Sequence, residues 1–333
     1  MVSPAGDGAP ARADGRDPGL VGVPLRVSVD NARGGRWTSL AGGGREWLWR
    51  GAATGRDRVV PGDAFVDAGG LEECLPTVRG VPDHGDVWSR PWRQVTPEIA
   101  TVECADFTLT RRIRGLGGTV VADYRLTAEP GYRFVWAGHA LLEVSPTARL
   151  VAPDGTPTRL YPEAADLLPA GDWPAGARWM TAPWPAPAGL PLDRLGPDDG
   201  TALGAILVGC PDVRVVDGPD VLRWRLDCAD QPRSVALWRN LRGWPQPTPY
   251  RSVGVEPMLG AVFDLAEVGS APDSGPAAAP AAGNVAGDGD PAPGGGTVAG
   301  GDAVPGGDVA LVPANGEVRW RLTVSAYRSG RTP

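Results

Sequence analysis

Apolar and polar residues alternate along much of this chain with a period of two, which places successive side chains on opposite faces of a strand. "PLRVSVD" (24–30), "FTLTRRIRG" (107–115), "TVVADYRLTAE" (119–129) and "YRFVWAGHALLEV" (132–144) are rich in β-branched and aromatic residues and are bounded by Gly, Pro or Asp. The pattern continues in "TALGAILVG" (201–209), "VLRWRLD" (221–227), "RSVALWRN" (233–240), "RSVGVE" (251–256) and "GEVRWRLTVSAY" (316–327). Helical periodicity is hard to find, and "AVFDLAE" (261–267) suggests one short turn. No strand–helix alternation is present and no G-x-G-x-x-G follows a strand, so a parallel α/β nucleotide-binding fold is excluded. Many strands with Pro-rich connections predict an all-β chain, a large antiparallel β-sandwich with few short helices.

Two stretches lack this pattern. Residues 1–18 read as a disordered tail, and 271–308 are Gly, Ala, Pro and Asp with scarcely a bulky apolar group. Such composition cannot bury enough surface to offset its ordering entropy. Patterned sequence resumes afterwards, so 19–330 is expected to be a single sandwich domain carrying 271–308 as a flexible insertion. No run reaches the roughly 18 apolar residues of a membrane span, and the N-terminus has no apolar stretch of a secretory signal.

Composition narrows the chemistry. A net charge of −7 argues against nucleic acid as a partner. All 32 basic residues are Arg, so neither a Schiff-base lysine nor a P-loop lysine is available. The four cysteines, Cys74, Cys104, Cys210 and Cys228, form no C-x-x-C pair, and there are only two histidines. A zinc site is therefore not expected, and the chain reads as a cytoplasmic protein with free thiols.

Those two histidines are the natural proton shuttles. His139 sits mid-strand in "VWAGHALLE", on the face of Val135, Ala137 and Leu141 and opposite Trp136 and Leu142. It is either a proton donor or a structural ring bonded to a nearby carbonyl. His84 lies in the loop "VPDHGDVWSRPW" (81–92). Its neighbours Asp83, Asp86, Trp88, Arg90 and Trp92 offer planar polar groups to sugar hydroxyls and rings to sugar C–H faces; packing of the tryptophans onto the sandwich edge is the alternative. Glu256, ending the apolar run "VGVE" before Pro257, is expected near a sheet edge, where partial burial would raise its pKa toward that of a general base.

In this order along the chain, several segments resemble the aldose 1-epimerase (galactose mutarotase-like) family. They are "DNARGGRWTSLAGGGREWLWRG" (30–51), "GGLEECLPT" (69–77) with "PDHGDVWSRPW" (82–92), "YRFVWAGHALLEVSP" (132–146), "VALWRNLRGWPQPTPYRSVGVEPMLG" (235–260) and "VPANGEVRWRLTVSAY" (312–327). The resemblance covers most of 22–268 and 309–327, and implies a galactose mutarotase-like β-sandwich. It implies His139 as general acid toward the ring oxygen, Glu256 as general base on the anomeric hydroxyl, and His84 as a hydrogen-bonding partner. Substrate contacts are then expected from Arg90, Trp88, Asp83 and Glu73. Asp217 and Asp220 are candidates for the family's further substrate-binding aspartate. Arg90 stands six residues after His84, where many members have an arginine closer to the H-G pair. The partner implied is a small-molecule sugar, with no cofactor and no metal, in a monomer or homodimer. Two alternatives stay open: a non-catalytic sugar binder on the same fold, and a lyase or hydrolase using a second suitably spaced carboxylate or a tyrosine base, Tyr124, Tyr132 or Tyr161.

Overall fold

Alternation is cleanest in the strand Glu317–Ser329, where Val318, Trp320, Leu322, Val324 and Ala326 are buried and Arg319 and Arg321 between them are exposed. One face is buried against a core and the other meets solvent, as expected of an antiparallel sheet covered on one side. The structure is a computed structural model that describes residues 19–51, 53–268 and 307–330. The expected tail, 1–18, and nearly all of the expected insertion, 271–306, lie outside the described residues.

Two large antiparallel sheets form the molecule. A nine-stranded sheet runs in the order Arg149–Val151, Asp212–Asp217, Asp220–Cys228, Glu317–Ser329, Thr119–Ala128, Phe107–Leu116, Ile99–Glu103 and Arg93–Gln94, with Leu20–Val23 also paired to Glu317–Ser329. A ten-stranded sheet runs Met180–Pro183, Pro157–Leu160, Ala202–Leu207, Arg233–Leu241, Arg251–Leu259, Trp136–Leu142, Leu71–Cys74, Arg36–Gly42 and Leu25–Asp30, with Arg45–Glu46 paired to Arg36–Gly42. The expected antiparallel β-sandwich is thus what the chain forms. Among the described residues the only helices are four short 3-10 turns, one of them Leu265–Glu267, where a short turn was expected. None is long and apolar enough to cross a membrane.

The main core lies between the sheets and takes Trp37, Leu71, Trp136 and Val255 from one, and Leu109, Tyr124, Trp224 and Trp320 from the other. Glu73 is embedded there. It is fully buried, accepts hydrogen bonds from Arg111 (2.7 Å), the Tyr124 hydroxyl (2.8 Å) and Trp136 Nε1 (2.7 Å), and so ties the two sheets together. This corrects the expectation that Glu73 contacts substrate. In the strand Leu71–Cys74 all four residues are buried, so polarity did not reveal which face each occupies.

A second, smaller cluster packs on the outer face of the ten-stranded sheet and includes Cys74, Val78, Ala137, Ile206, Ala236, Met258, Val262 and Phe263. The chain on either side of the undescribed stretch meets beside it, where Ala261 N donates to Asp308 O at 2.8 Å and Arg159 pairs with Asp308. All four cysteines are free thiols.

Candidate active site

His139 and Glu256 lie on neighbouring strands, Trp136–Leu142 and Arg251–Leu259, in the middle of the ten-stranded sheet. Both point to its outer face, next to the smaller apolar cluster. Glu256 is therefore not at a sheet edge, and its strand continues through Pro257 to Leu259. Proline has no N–H to give to a ladder. Pairing between the two strands runs through Trp136↔Leu259 and Ala137↔Met258, then resumes only at Leu141↔Gly254. The interruption coincides with the His139–Glu256 level.

His139 Nε2 stands 3.6 Å from Glu256 Oε1, beyond hydrogen-bond length. No hydrogen bond from the described residues reaches either side chain. Glu256 is only 2% exposed, and burial pushes its pKa above the ordinary glutamate value, against the opposing pull of His139 and Arg79. Two further charges reach it from loops. Asp67 adds repulsion, and Arg79, paired with Glu163 at 2.6 Å and stacked over Phe263, adds attraction.

His84 joins from the opposite wall. Its ring centroid is 5.1 Å from that of His139, nearly perpendicular to it, and 3.7 Å from the parallel ring of Phe65. Asp83 Oδ1 holds His84 Nδ1 at 2.8 Å, which leaves the other ring nitrogen for a ligand. That contact outweighs the opposing effect of burial and holds the pKa of Asp83 below the ordinary aspartate value. His84 is in the left-handed region with φ 57°. The next residue must be glycine, because a Cβ on Gly85 would lie 2.1 Å from the Leu75 carbonyl oxygen. The H-G pair is thus a backbone requirement as well as a ring position.

The remaining expected contacts are placed differently. Trp88 is 1% exposed, donates Nε1 to the Asp83 carbonyl at 3.0 Å and packs edge-on against Phe65, so it supports the wall from behind. Arg90 faces Asp86, 3.5 Å away, and has no contact with the His139–Glu256 pair. Asp217 bonds Ser145 and Arg45, and Asp220 bonds Arg328, both in the other sheet. Tyr124 is committed to Glu73, Tyr161 is buried in the apolar cluster and Tyr132 packs on Phe107, so none of the three is placed with the pair.

Sequence reading missed Phe65, Asp67, Arg79, Glu72 and an aromatic group. Glu72 pairs with His139 across the strands. Burial pushes its pKa up to about 7, although Arg56 grips both its oxygens at 3.0 and 3.1 Å. Arg56 also donates to the Trp88 carbonyl at 2.8 Å and fixes the His84 loop to the sheet. The aromatic group begins at Trp238, whose Cβ and Glu256 Oε1 both crowd the space over Gly254. Trp244 lies edge-on to Trp238 at 6.1 Å and to Tyr250 at 6.4 Å, and Tyr250 is parallel to Trp49 at 5.5 Å. The Tyr250 hydroxyl donates to Asp67 at 2.5 Å across 183 residues of sequence, a juxtaposition with no local signal.

An open groove of about 990 Å³ crosses the nine-stranded sheet, lined in part by Arg112, Arg321, Asp123 and Asp227. Its charges satisfy one another, as in Arg321–Asp123 (2.6 Å), and it holds no matched acid and base. Among the described residues no cluster of His, Cys, Asp and Glu is arranged to hold a metal ion.

No protein-family model matches this chain, and no curated protein matches it. Solved structures do. The Slr1438 protein of Synechocystis sp. PCC 6803 aligns with a TM-score of 0.57 at 13% identity, over 94% of this chain and 97% of that one. A candidate aldose 1-epimerase from Escherichia coli K12 aligns at 0.55 and 12% identity, over 92% and 99%. A galactose mutarotase-like protein from Lactobacillus casei ATCC 334 aligns at 0.52 and 15% identity, over 92% and 100%. At such identities the likeness is one of fold: this chain has the galactose mutarotase-like β-sandwich.

Proposed function

We propose that this protein is an aldose 1-epimerase-like isomerase that interconverts the α and β anomers of an aldose. The observation that carries the reading is a buried carboxylate, Glu256, with no hydrogen-bond donor among the described residues, 3.6 Å from the imidazole of His139. A carboxylate whose pKa burial raises, standing beside an imidazole, is a matched base and acid of the kind that functional sites use.

The chemistry follows from the pair. With Glu256 ionised and His139 protonated, Glu256 takes the proton of the anomeric hydroxyl while His139 gives one to the ring oxygen. The C1–ring oxygen bond breaks as the C1 carbonyl forms. Rotation about C1–C2 turns the other carbonyl face toward the sugar's freed hydroxyl; as the ring closes, Glu256 gives its proton to the carbonyl oxygen and His139 takes one back from the hydroxyl. His84, held by Asp83, is placed to hydrogen-bond the reacting end. The overall reaction balances without oxidant or other reactant.

The test is anomer exchange followed by NMR across a panel of aldoses. At least one sugar should exchange faster than in buffer, and His139→Ala and Glu256→Gln should each slow it roughly 10²–10⁴-fold. If none exchanges faster than buffer, the proposal fails; saturable sugar binding without exchange would favour a binding protein on this fold.

A further inference from the structure

The outer face of the sheet is fully covered on one side of His139 and Glu256, and carries half-buried side chains on the other. Along the strands on one side lie Ala137, Met258 and Cys74, all fully buried, beneath Val262 and Phe263. Nothing attached to a sugar could extend that way. One step along the strands on the other side lie Leu141, Gly254 and Trp238, paired in register. Two residues of strand separate this row from the His139–Glu256 row by roughly 7 Å, so the two rows are neighbours on the same face.

That open side carries the aromatic group. Trp238, Trp49 and Tyr250 are half-buried, and Trp244 is 50% exposed, whereas every other tryptophan is buried or half-buried. Trp244 is also the one aromatic residue among the exposed large hydrophobics. The rings follow one another at 6.1, 6.4 and 5.5 Å from Trp238 through Trp244 and Tyr250 to Trp49. The strip also has a polar edge, because Asp67 accepts from Tyr250 and from Gly69 N, 3.0 Å away. Rings beside a carboxylate suit a sugar, whose C–H faces stack on aromatics while its hydroxyls donate to the acid.

We infer that Trp238, Trp244, Tyr250 and Trp49 form a subsite for a second sugar ring. The preferred substrate is then a reducing oligosaccharide whose terminal hemiacetal reaches His139 and Glu256. The inference deepens the proposed function and rests on that reading for the placement of the reacting ring.

The experiment compares maltose, cellobiose and lactose with glucose and galactose, measuring anomer exchange by NMR and binding by calorimetry on the full chain. The inference expects at least one disaccharide to have a higher kcat/KM than its reducing monosaccharide. Trp244→Ala should lower that disaccharide-to-monosaccharide ratio roughly fivefold, mostly through KM. A substitution that only disturbed packing would change both sugars together and leave the ratio alone. Monosaccharide exchange with no disaccharide preference, or a ratio unchanged by Trp244→Ala, overturns the subsite and leaves the proposed function standing. Disaccharide-selective binding that depends on Trp244 but brings no exchange supports the subsite and overturns the isomerase. Neither exchange nor binding overturns both.

Discussion

Three fully buried glutamates, Glu72, Glu73 and Glu256, differ only in what surrounds them. Glu73 accepts three hydrogen bonds and Glu72 is gripped by Arg56, while Glu256 has an imidazole at 3.6 Å and, among the described residues, no donor. A general base acts when ionised, so exchange should rise with pH through the Glu256 pKa. Burial lifts that pKa above the ordinary 4.5, and the acid limb of kcat/KM should therefore fall above the usual carboxylate range. A pH profile of exchange checks this; a limb at or below 4.5 would remove Glu256 from the role. The carboxylate lies over the bare backbone of Gly254, where a Cβ would stand 2.5 Å from Glu256 Oε1. Gly254→Ala should displace the acid and cut exchange by about 10²-fold, with little change in far-ultraviolet circular dichroism. At this scale the sequence was informative about residue type, since two histidines leave few choices. It was silent on Asp67, Arg79 and Tyr250, which approach the pair from loops distant in the chain.

The site is built from two kinds of element. The central strands supply His139 and Glu256, and the loop 81–92 supplies His84. The loop is anchored where Gly85 passes Leu75, where Asp86 N donates to the Leu75 carbonyl at 2.7 Å, and where Arg56 holds the Trp88 carbonyl. Gly85→Ala would drive a Cβ into the Leu75 carbonyl from a left-handed backbone, at φ 78°. It should weaken exchange and raise hydrogen–deuterium exchange across 78–90, leaving the strands protected. The sheets are joined by Glu73, and Glu73→Gln should lower stability by about 3–5 kcal/mol in urea denaturation, because Arg111 would keep a buried charge without its counterion. Most of the longer strands were legible from alternation, including Phe107–Leu116, Thr119–Ala128 and Glu317–Ser329. Leu71–Cys74 and Pro157–Leu160 were among those not read, because the first is buried on both faces and the second is short and begins with proline.

For the whole molecule, burial of carboxylates against the ten-stranded sheet gives stability a pH dependence. Glu72 has a folded pKa of about 7 against 4.5 unfolded, so the folded state holds its proton more tightly. This contribution is fully present below pH 4.5 and is lost as pH rises through 7, up to about 3 kcal/mol. Asp83, Asp123 and Asp217 are shifted the other way, and their stabilisation is lost as pH falls below the ordinary aspartate value of 3.8. Stability should therefore be greatest in the mildly acid range, with Tm declining toward pH 8; Glu72→Gln should flatten the alkaline decline. The sequence by itself determined the class of fold, because period-two alternation and turn-forming residues act between near neighbours. It also determined that any proton transfer by imidazole would use His84 or His139. Only the tertiary structure decided which glutamate is bare and which are bonded. Glu72 meets Arg56 across 16 residues, and Glu73 meets Arg111, Tyr124 and Trp136 across 38, 51 and 63. A carboxylate's charge state is set by what packs against it, and that packing exists only once the sheets have come together.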